Sequence, residues 1–560
     1  MKTSDKLNAQ YLGQLLKQHN CKTVVIAPGS RNAPLIITFT NDSDYRCISV
    51  PDERVAAFTA MGLTLEKREP VAVICSSGSA AVNFYPAVVE AFYQKLPLVV
   101  ITADRPIELI DQGIGQAIRQ PNVFTTHIVK DFDLIREPAD ELAKNFNQRS
   151  INEALLATKH GPVHINVPFD EPLYGTTEEQ VEAQYIDETL GNRTLSNTKV
   201  EQLSSIWNEA PKIWVLAGQM LPDSELEEIL TSLNQKSPFL IFSESLSNLH
   251  CACNIHSIDR LINTISEEEK EALCPDLLIS IGGEVVSKMV KKFLRTFKPK
   301  HHWYVNEATE FQDTYGALTD HVQVHPALFF KDLMGFTKPK SSDYRDDFLA
   351  KDQKRMAKHA EFVNKAQFSD MAAFREILKH LPKDSILHCA NSTSIRYSQL
   401  FDHEESILHY ANRGTSGIDG CTSTAIGHAI TTDKMVTLIT GDVAFLYDSN
   451  AFWNDELPDN LRVIVLNNNG GNIFRIIEGP DKNEDFERFQ ETIHNVKLQG
   501  VATTFGLSFT SVSDEGKLQQ VLSSFFAPEG GIKVLEIQTP RIESPEVLKN
   551  YWAFLRNGFK

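Results

Sequence analysis

The sequence predicts an α/β protein of three domains, each with a mostly parallel sheet flanked by helices. Two observations carry this. Apolar runs of strand length alternate with amphipathic stretches of helix length over three reaches of the chain, which is the pattern of successive β-α-β units. Two polar stretches interrupt the alternation, so the predicted domains are 1–180, 198–336 and 365–560. A chain of 560 residues has room for about three domains of 100 to 200 residues, each able to bury a core.

In the first domain the strands are TVVIA, YRCISV, VAVICS, LPLVVITA and PVHINVP. The turn APGSRNAPL puts Ser30 and Arg31 at a helix opening, and TADRP puts Arg105 beyond the fourth strand. By residue type alone, both arginines suit surface pairing as well as ligand binding. Glu53, in DER, lies where strand becomes helix, ahead of an apolar stripe through Val55, Phe58 and Leu63. Alone it suits a carboxylate at the positive end of a helix. SSGSAAVNF makes a small-residue turn at Ser77 and Gly78, which fits either close approach to a flat ligand or tight helix packing.

The turn-rich stretch EPLYGTTEEQVEAQYIDETLGNRTLSNT reads as a linker. The middle domain then offers KIWVLAG, PFLIFSE, DLLISIGG and HHWYVNEA, with helices from Ser224 and through Val290, and lacks the GxGxxG of a dinucleotide site. Lys288 follows GGEVVS on a helix whose Lys291 and Lys292 suggest a solvated face. His301 and His302 read as structural. So do the thiols of HCACNIH, from His250 to His256, because their spacing is not that of a zinc module. SSDYRDDFLAKDQKRMAKHAEF has helical composition without a deep apolar face and reads as a second linker or a surface helix.

The third domain is organised around GDVAFLYDSNAFWNDELPDNLRVIVLNNNGG, in which two strands deliver Gly441 with Asp442 and Asn467 with Asn468 to one edge. Ligands of open parallel sheets bind beyond such carboxyl ends. Asp442, the side-chain oxygen of Asn468 and the carbonyl of Gly470 suit three positions of a Mg2+ octahedron completed by diphosphate oxygens and water. A plain β-α-β unit with a capping aspartate and an Asn-Gly turn explains the same residues. NSTSIR and NRGTSGIDG bring Asn391, Ser392, Arg396, Arg413, Gly417 and Ile418 toward that edge.

A formal net charge of −18 argues against nucleic acid or an anionic membrane as the main partner. No apolar run reaches 18 residues and the first residues do not form a signal peptide, so a soluble cytoplasmic protein without membrane insertion is expected. Eight scattered cysteines fit reduced thiols.

Taken together, the three α/β units, the lone Glu53 and GD followed 26 positions later by NN resemble the thiamine diphosphate enzymes, with Val443 in place of that motif's second glycine. The wording APGSRNAPL, DER, TADRP, GQAIRQ, NRGTSGIDG and NNNGGNIF resembles one branch, the 2-succinyl-5-enolpyruvyl-6-hydroxy-3-cyclohexene-1-carboxylate (SEPHCHC) synthases of menaquinone biosynthesis. Ser79 stands where that branch is expected to carry Thr. The resemblance implies a carbon–carbon bond-forming, decarboxylating transferase that joins 2-oxoglutarate to isochorismate, using thiamine diphosphate and Mg2+, or Mn2+ in its place.

By the same resemblance, Glu53 is catalytic and holds the aminopyrimidine. Ser77, Gly78, Asn391, Gly417, Ile418, Gly441, Asp442, Asn468, Gly470, Ile473 and Phe474 surround the cofactor, and Asp442, Asn468 and Gly470 hold the metal. Ser30, Arg31, Arg105, Gln116 and Lys288 face isochorismate, and Ser392 and Arg396 hold the succinyl carboxylate. Arg413 serves either substrate, and Ile473 with Phe474 forms an apolar wall. The resemblance also implies a homodimer with shared active sites, or a tetramer built from it. The alternatives are an acetolactate synthase or benzaldehyde-type lyase, which would not need so many arginines at strand ends, and a silent metabolite-binding protein, which would not need both Glu53 and Asp442.

Overall fold

A computed structural model of the chain describes residues 2–189, 191 and 193–558. It contains three six-stranded sheets, parallel throughout, and one short antiparallel pair joining Thr3–Ser4 to Thr176–Thr177. The central strands of each sheet are buried along nearly their whole length, as in Val71–Cys75, Ile213–Ala217 and Leu461–Asn467. Helices on both faces explain why such strands read as continuous apolar runs.

In space the first sheet runs Arg46–Ser49, Thr23–Ile26, Val71–Cys75, Leu98–Asp104, Val163–Pro168, Lys130–Asp133. The third runs Leu408–Tyr410, Ile386–Cys389, Val436–Gly441, Leu461–Asn467, Lys533–Gln538, Ser508–Val512. Both follow the order 2-1-3-4-6-5, so the shared plan extends to connectivity. The middle sheet has the different order 3-2-1-4-5-6. Chain direction across the sheet reverses between Thr23–Ile26 and Val71–Cys75 in the first sheet, and between Ile386–Cys389 and Val436–Gly441 in the third. Those reversals open crevices at the carboxyl ends of the strands.

In the three parallel sheets four strands escape the apolar pattern: Lys130–Asp133, Asn254–Ile255, Asp320–Val322 and Ser508–Val512. All lie at sheet edges and carry polar or half-exposed residues, so they lack an apolar run.

The helices Glu53–Leu63 and Cys421–Ile430 join the first and third sheets in one core. Glycine sets their approach. A Cβ on Gly62 would lie 2.2 Å from the Thr424 carbonyl oxygen, one on Gly427 would lie 2.1 Å from that of Thr59, and one on Gly420 would enter the Phe58 ring.

Two connecting stretches are more structured than expected. Residues 181–186 lack regular structure but are fastened to the first unit by side-chain amides. Gln10 accepts from Val181 N at 3.2 Å, Gln14 from Ala183 N at 2.8 Å, Gln148 from Gln184 N at 2.7 Å and Asn152 from Ile186 N at 2.9 Å. The charged connector is a 21-residue helix, Asp343–Val363, with Phe348, Asp352, Arg355, His359 and Val363 buried. Its inner face is largely polar: Arg355 Nε donates to Thr264 Oγ1 at 2.6 Å, and His359 Nδ1 meets Tyr551 OH at 3.0 Å. A face satisfied by partners in other elements leaves no apolar stripe in the sequence.

His302 is buried against Ser280 Oγ at 2.8 Å, and burial pushes its imidazole down to about 4. Cys251 is buried and Cys253 exposed. Among the described residues no group of three or more His, Cys, Asp or Glu side chains is arranged to hold a metal ion, and no helix is long and apolar enough to cross a membrane.

Candidate active site

The third sheet's crevice gathers the central motif. Asp442 opens the helix Asp442–Tyr447 and is buried, its Oδ1 accepting from Val443 N at 2.8 Å and its Oδ2 from Gly470 N at 2.9 Å. His494 Nε2 lies 3.2 Å from Oδ2, and that carboxylate raises the imidazole above its usual range. Beside Asp442, Asn468 Nδ2 donates to Asp370 Oδ2 at 3.3 Å, while its buried Oδ1 has no partner among the described residues. The Gly470 carbonyl accepts from Asn472 N at 3.0 Å and keeps a second lone pair. A carboxylate beside an orphaned amide oxygen is a donor set that suits a hard, oxygen-seeking cation.

On the other side of the crevice, Asn391 braces a loop: its Nδ2 donates to the Asn412 and Gly417 carbonyls at 2.7 Å each, and its Oδ1 accepts from Arg413 Nη1 at 2.9 Å. The Asp419 carboxylate packs directly over Gly417, where a Cβ would lie 2.2 Å from Oδ1. Ile418, half-buried, follows it. Ser392 precedes the helix Thr393–Ser398 with φ +77°, a left-handed conformation held at a cost of about 1–3 kcal/mol in a residue with a side chain. Ile473 is buried, Phe474 is half-buried, and both lie in the helix Ile473–Ile476 next to the metal loop.

Arg396 donates only to the Ser392 carbonyl, at 3.2 Å, and has no carboxylate within ion-pair distance among the described residues. Burial and the neighbouring Arg413 lower its pKa, the expected consequence of two guanidinium groups in one desolvated place. A cavity of about 200 Å³ lies alongside, lined by Asp259, Ser287, Lys288, Arg396, Ile476 and Trp552 among others. Lys288 opens the helix Lys288–Thr296 from the middle unit, with its ammonium unpaired among the described residues. The turn before it is fixed by buried Glu244, which accepts from Val286 N and Ser287 N at 2.6 and 2.7 Å, and by Asp259, which accepts from Ser287 Oγ.

At the first sheet's crevice a second cluster forms. Gly78 (φ +86°) adopts nearly the same turn as Ser392, and its N–H donates to Gln120 Oε1 at 2.8 Å. A Cβ on it would meet Gln116 at 3.0 Å, so the exposed Gln116 loop lies directly against the turn. Ser77 Oγ is buried without a partner among the described residues. Arg31 is buried, donating to the Phe169 carbonyl and pairing with Glu171, both at 3.1 Å. Burial and nearby Arg105 lower its pKa. Asp104 accepts from Arg105 N at 2.7 Å. Ser30 is exposed at the mouth, and Glu53, half-buried at its helix start, makes no hydrogen bond or ion pair among the described residues.

The structure therefore gathers the predicted residues into two half-sites. No hydrogen bond or ion pair among the described residues joins the Ser30, Arg31, Gly78, Arg105 and Gln116 cluster to that of Asn391, Arg413, Asp442 and Asn468. Asp370, Gln120, Asp104, Asp259 and Glu244 support these half-sites and went unnoticed in the sequence. Each binds a residue distant in the chain, such as Asn468 with Asp370 at a separation of 98 positions, and no local pattern marks them.

Paired α/β units with crevices at their strand ends, a glutamate without a partner among the described residues at one and an aspartate–asparagine pair at the other fit a thiamine diphosphate-dependent enzyme. The family profile described as "Thiamine pyrophosphate enzyme, N-terminal TPP binding domain" matches residues 8–123. In fold the chain is similar to crystalline benzoylformate decarboxylase from Polynucleobacter necessarius (TM-score 0.69, 14% identity, 96% of this chain and 99% of that one). It is 42% identical to the 2-succinyl-5-enolpyruvyl-6-hydroxy-3-cyclohexene-1-carboxylate synthase of Flavobacterium psychrophilum (98% of both chains) and 40% identical to that of Christiangramia forsetii (96% of both). It is also 39% identical to that of Porphyromonas gingivalis (99% of this chain, 98% of the other). The chain belongs to the family of 2-succinyl-5-enolpyruvyl-6-hydroxy-3-cyclohexene-1-carboxylate synthases.

Proposed function

We propose that the protein decarboxylates 2-oxoglutarate and adds the resulting succinyl unit to the ring alkene of isochorismate, releasing SEPHCHC and CO2 as a step of menaquinone biosynthesis. The observation that carries this reading is the pair of like-charged arginine couples, Arg31 with Arg105 and Arg396 with Arg413, one at each crevice of a chain with net charge −18. Each couple has one protein carboxylate beside it, Glu171 at Arg31 (3.1 Å) and Glu284 at Arg413 (3.4 Å), which leaves an excess of positive charge suited to anions, and both substrates are dianions. Guanidinium groups suit them because they bind carboxylates in two-pronged fashion.

Thiamine diphosphate, when bound, supplies the electron sink that lets a 2-oxo acid lose CO2 and react at its former carbonyl carbon. Glu53, without a hydrogen-bond or ion-pair partner among the described residues, would hold the aminopyrimidine ring nitrogen through its carboxylate. Asp442, the orphaned Oδ1 of Asn468 and the Gly470 carbonyl hold Mg2+ and with it the diphosphate. Ile418 supports the cofactor rings, and Ile473 and Phe474 keep water from one side. Arg396 and Ser392 hold the donor's distal carboxylate, while Lys288, Arg31, Arg105, Ser30 and Gln116 take the acceptor. The half-sites come together across a homodimer, in which the first unit of one chain faces the third unit of its partner. The enzyme works in the cytoplasm.

The test is to supply the purified protein with thiamine diphosphate, Mg2+ and 2-oxoglutarate, with and without isochorismate, and to follow CO2 and product mass. SEPHCHC is expected only with both substrates. Equal kcat/KM with pyruvate in place of 2-oxoglutarate would reject the succinyl assignment.

A further inference from the structure

Glu90 is a buried carboxylate in the helix Tyr85–Gln94 of the first unit, and its partners belong to the third. Oε1 accepts from Gly414 N at 2.7 Å, and Oε2 accepts from Thr415 N and Thr415 Oγ1, each at 2.7 Å. Gln94 Nε2 donates to Oε1 at 2.5 Å, so four donors converge on one carboxylate. The approach is close. A Cβ on Gly414 would lie 2.5 Å from the Glu90 carbonyl oxygen and 3.1 Å from its carboxylate. Arg413 immediately precedes Gly414, and its guanidinium turns to the far side of the loop, donating to Asn391 Oδ1 at 2.9 Å and to Glu284 Oε1 of the middle unit at 3.4 Å. The middle unit holds the same loop through Gln219 Nε2, which donates to Gln94 Oε1 and to the Ala411 carbonyl at 3.2 Å each.

We infer that Glu90 is a positioning residue for substrate binding, an internal anion through which the first unit fixes the loop that presents Arg413 in the same chain. It touches no substrate itself. Two successive backbone N–H groups and a hydroxyl aimed at one carboxylate form the concave donor set that binds anions in proteins, and here the anion is supplied by another domain. Neutral glutamine cannot replace it, because every lone pair used by Glu90 faces a donor, and an amide would turn its own N–H groups toward one of the two donor sets. Sequence separations of 324 and 325 positions explain why nothing local reveals it. The inference rests on the reading that Arg413 binds a substrate carboxylate.

The test is a double-mutant cycle on the loaded enzyme with E90Q, R413A and the pair, with KM and kcat measured for 2-oxoglutarate and isochorismate. Hydrogen exchange at the amides of residues 414 and 415 is measured beside it. Expected are a rise of about tenfold or more in KM for the same substrate in both single variants, faster exchange at both amides in E90Q, and a double variant little worse than R413A alone. T415V, which removes one of the four donors, should give a smaller shift in the same direction. If R413A lowers kcat/KM and E90Q multiplies that loss in full, Glu90 acts on general stability and the inference falls alone. Unchanged kinetics or unchanged exchange in E90Q overturns it likewise. If R413A changes neither substrate, the assignment of Arg413 falls, and the inference with it.

Discussion

Replacing Gly62 by alanine tests whether the approach of the helices Glu53–Leu63 and Cys421–Ile430 sets the position of Glu53. The added Cβ would lie 2.2 Å from the Thr424 carbonyl oxygen and 3.0 Å from Gly427 Cα and His428 N. A relaxed carbon–oxygen contact needs about 1 Å more, and every obstacle is backbone, so no side chain can swing away. The helix pair must open, at the roughly 1–3 kcal/mol typical of overpacked cores. At about 2–4 °C per kcal/mol for a sizeable domain, thermal unfolding should fall by about 2–12 °C. Glu53 lies nine residues before Gly62, some 13 Å along the same helix, and moves with it. A carboxylate displaced by a sizeable fraction of an ångström should lose at least about tenfold in kcat/KM. Scanning calorimetry and steady-state kinetics on G62A measure both effects. A variant with the parent's midpoint and full kcat/KM would refute the argument that this contact is rigid.

R396A should lower kcat/KM for 2-oxoglutarate by about a hundredfold, the scale of about 3 kcal/mol for a charge-assisted hydrogen bond, and an effect confined to isochorismate would reassign Arg396. E53Q should bind thiamine diphosphate but exchange its thiazolium proton far more slowly; exchange at the parental rate by NMR would leave Glu53 as a helix-start carboxylate. Co-expressed E53Q and D442A chains, each inactive alone, should regain about a quarter of wild-type activity if sites are shared across an isologous dimer, and none if each chain builds its own. Burial pushes the Asp448 carboxyl up to about 7, although it accepts from Ser423 N and Oγ at 2.7 and 2.8 Å. The folded chain therefore holds this proton more tightly than the unfolded one. The associated stability, on the order of 4 kcal/mol at most, is fully present below about pH 4 and is lost as pH rises through 7. D448N should flatten that slope in unfolding midpoints recorded from pH 4 to 8, and an unchanged slope would show that Asp448 is not its source.

How much of this was legible follows from where each signal lies. The placement of Asp442, Asn468 and Ile418 at the third sheet's crevice was readable because the ends of neighbouring parallel strands fall within short, ordered words such as NRGTSGIDG. The central strands were readable because burial on both faces makes them uniformly apolar, whereas Lys130–Asp133, exposed and charged at an edge, was not. The helix Asp343–Val363 read as a linker or surface helix, and its packed face was not legible, because between Phe348 and Val363 that face is made by polar residues such as Arg355 and His359 held by hydrogen bonds. Glu90 and Asp370 look like ordinary helix residues until folding brings their donors from a distance.

The amides along residues 181–186 make that stretch a ruler. Gln10, Gln14, Gln148 and Asn152 each grip a particular backbone position, so the segment's length is counted out residue by residue although it is neither helix nor strand. One residue inserted between 183 and 184 would put two of the four grips out of step. Drift in length over evolutionary time should therefore spare positions 181–186, a coil whose tolerance to change is set by its neighbours' side chains.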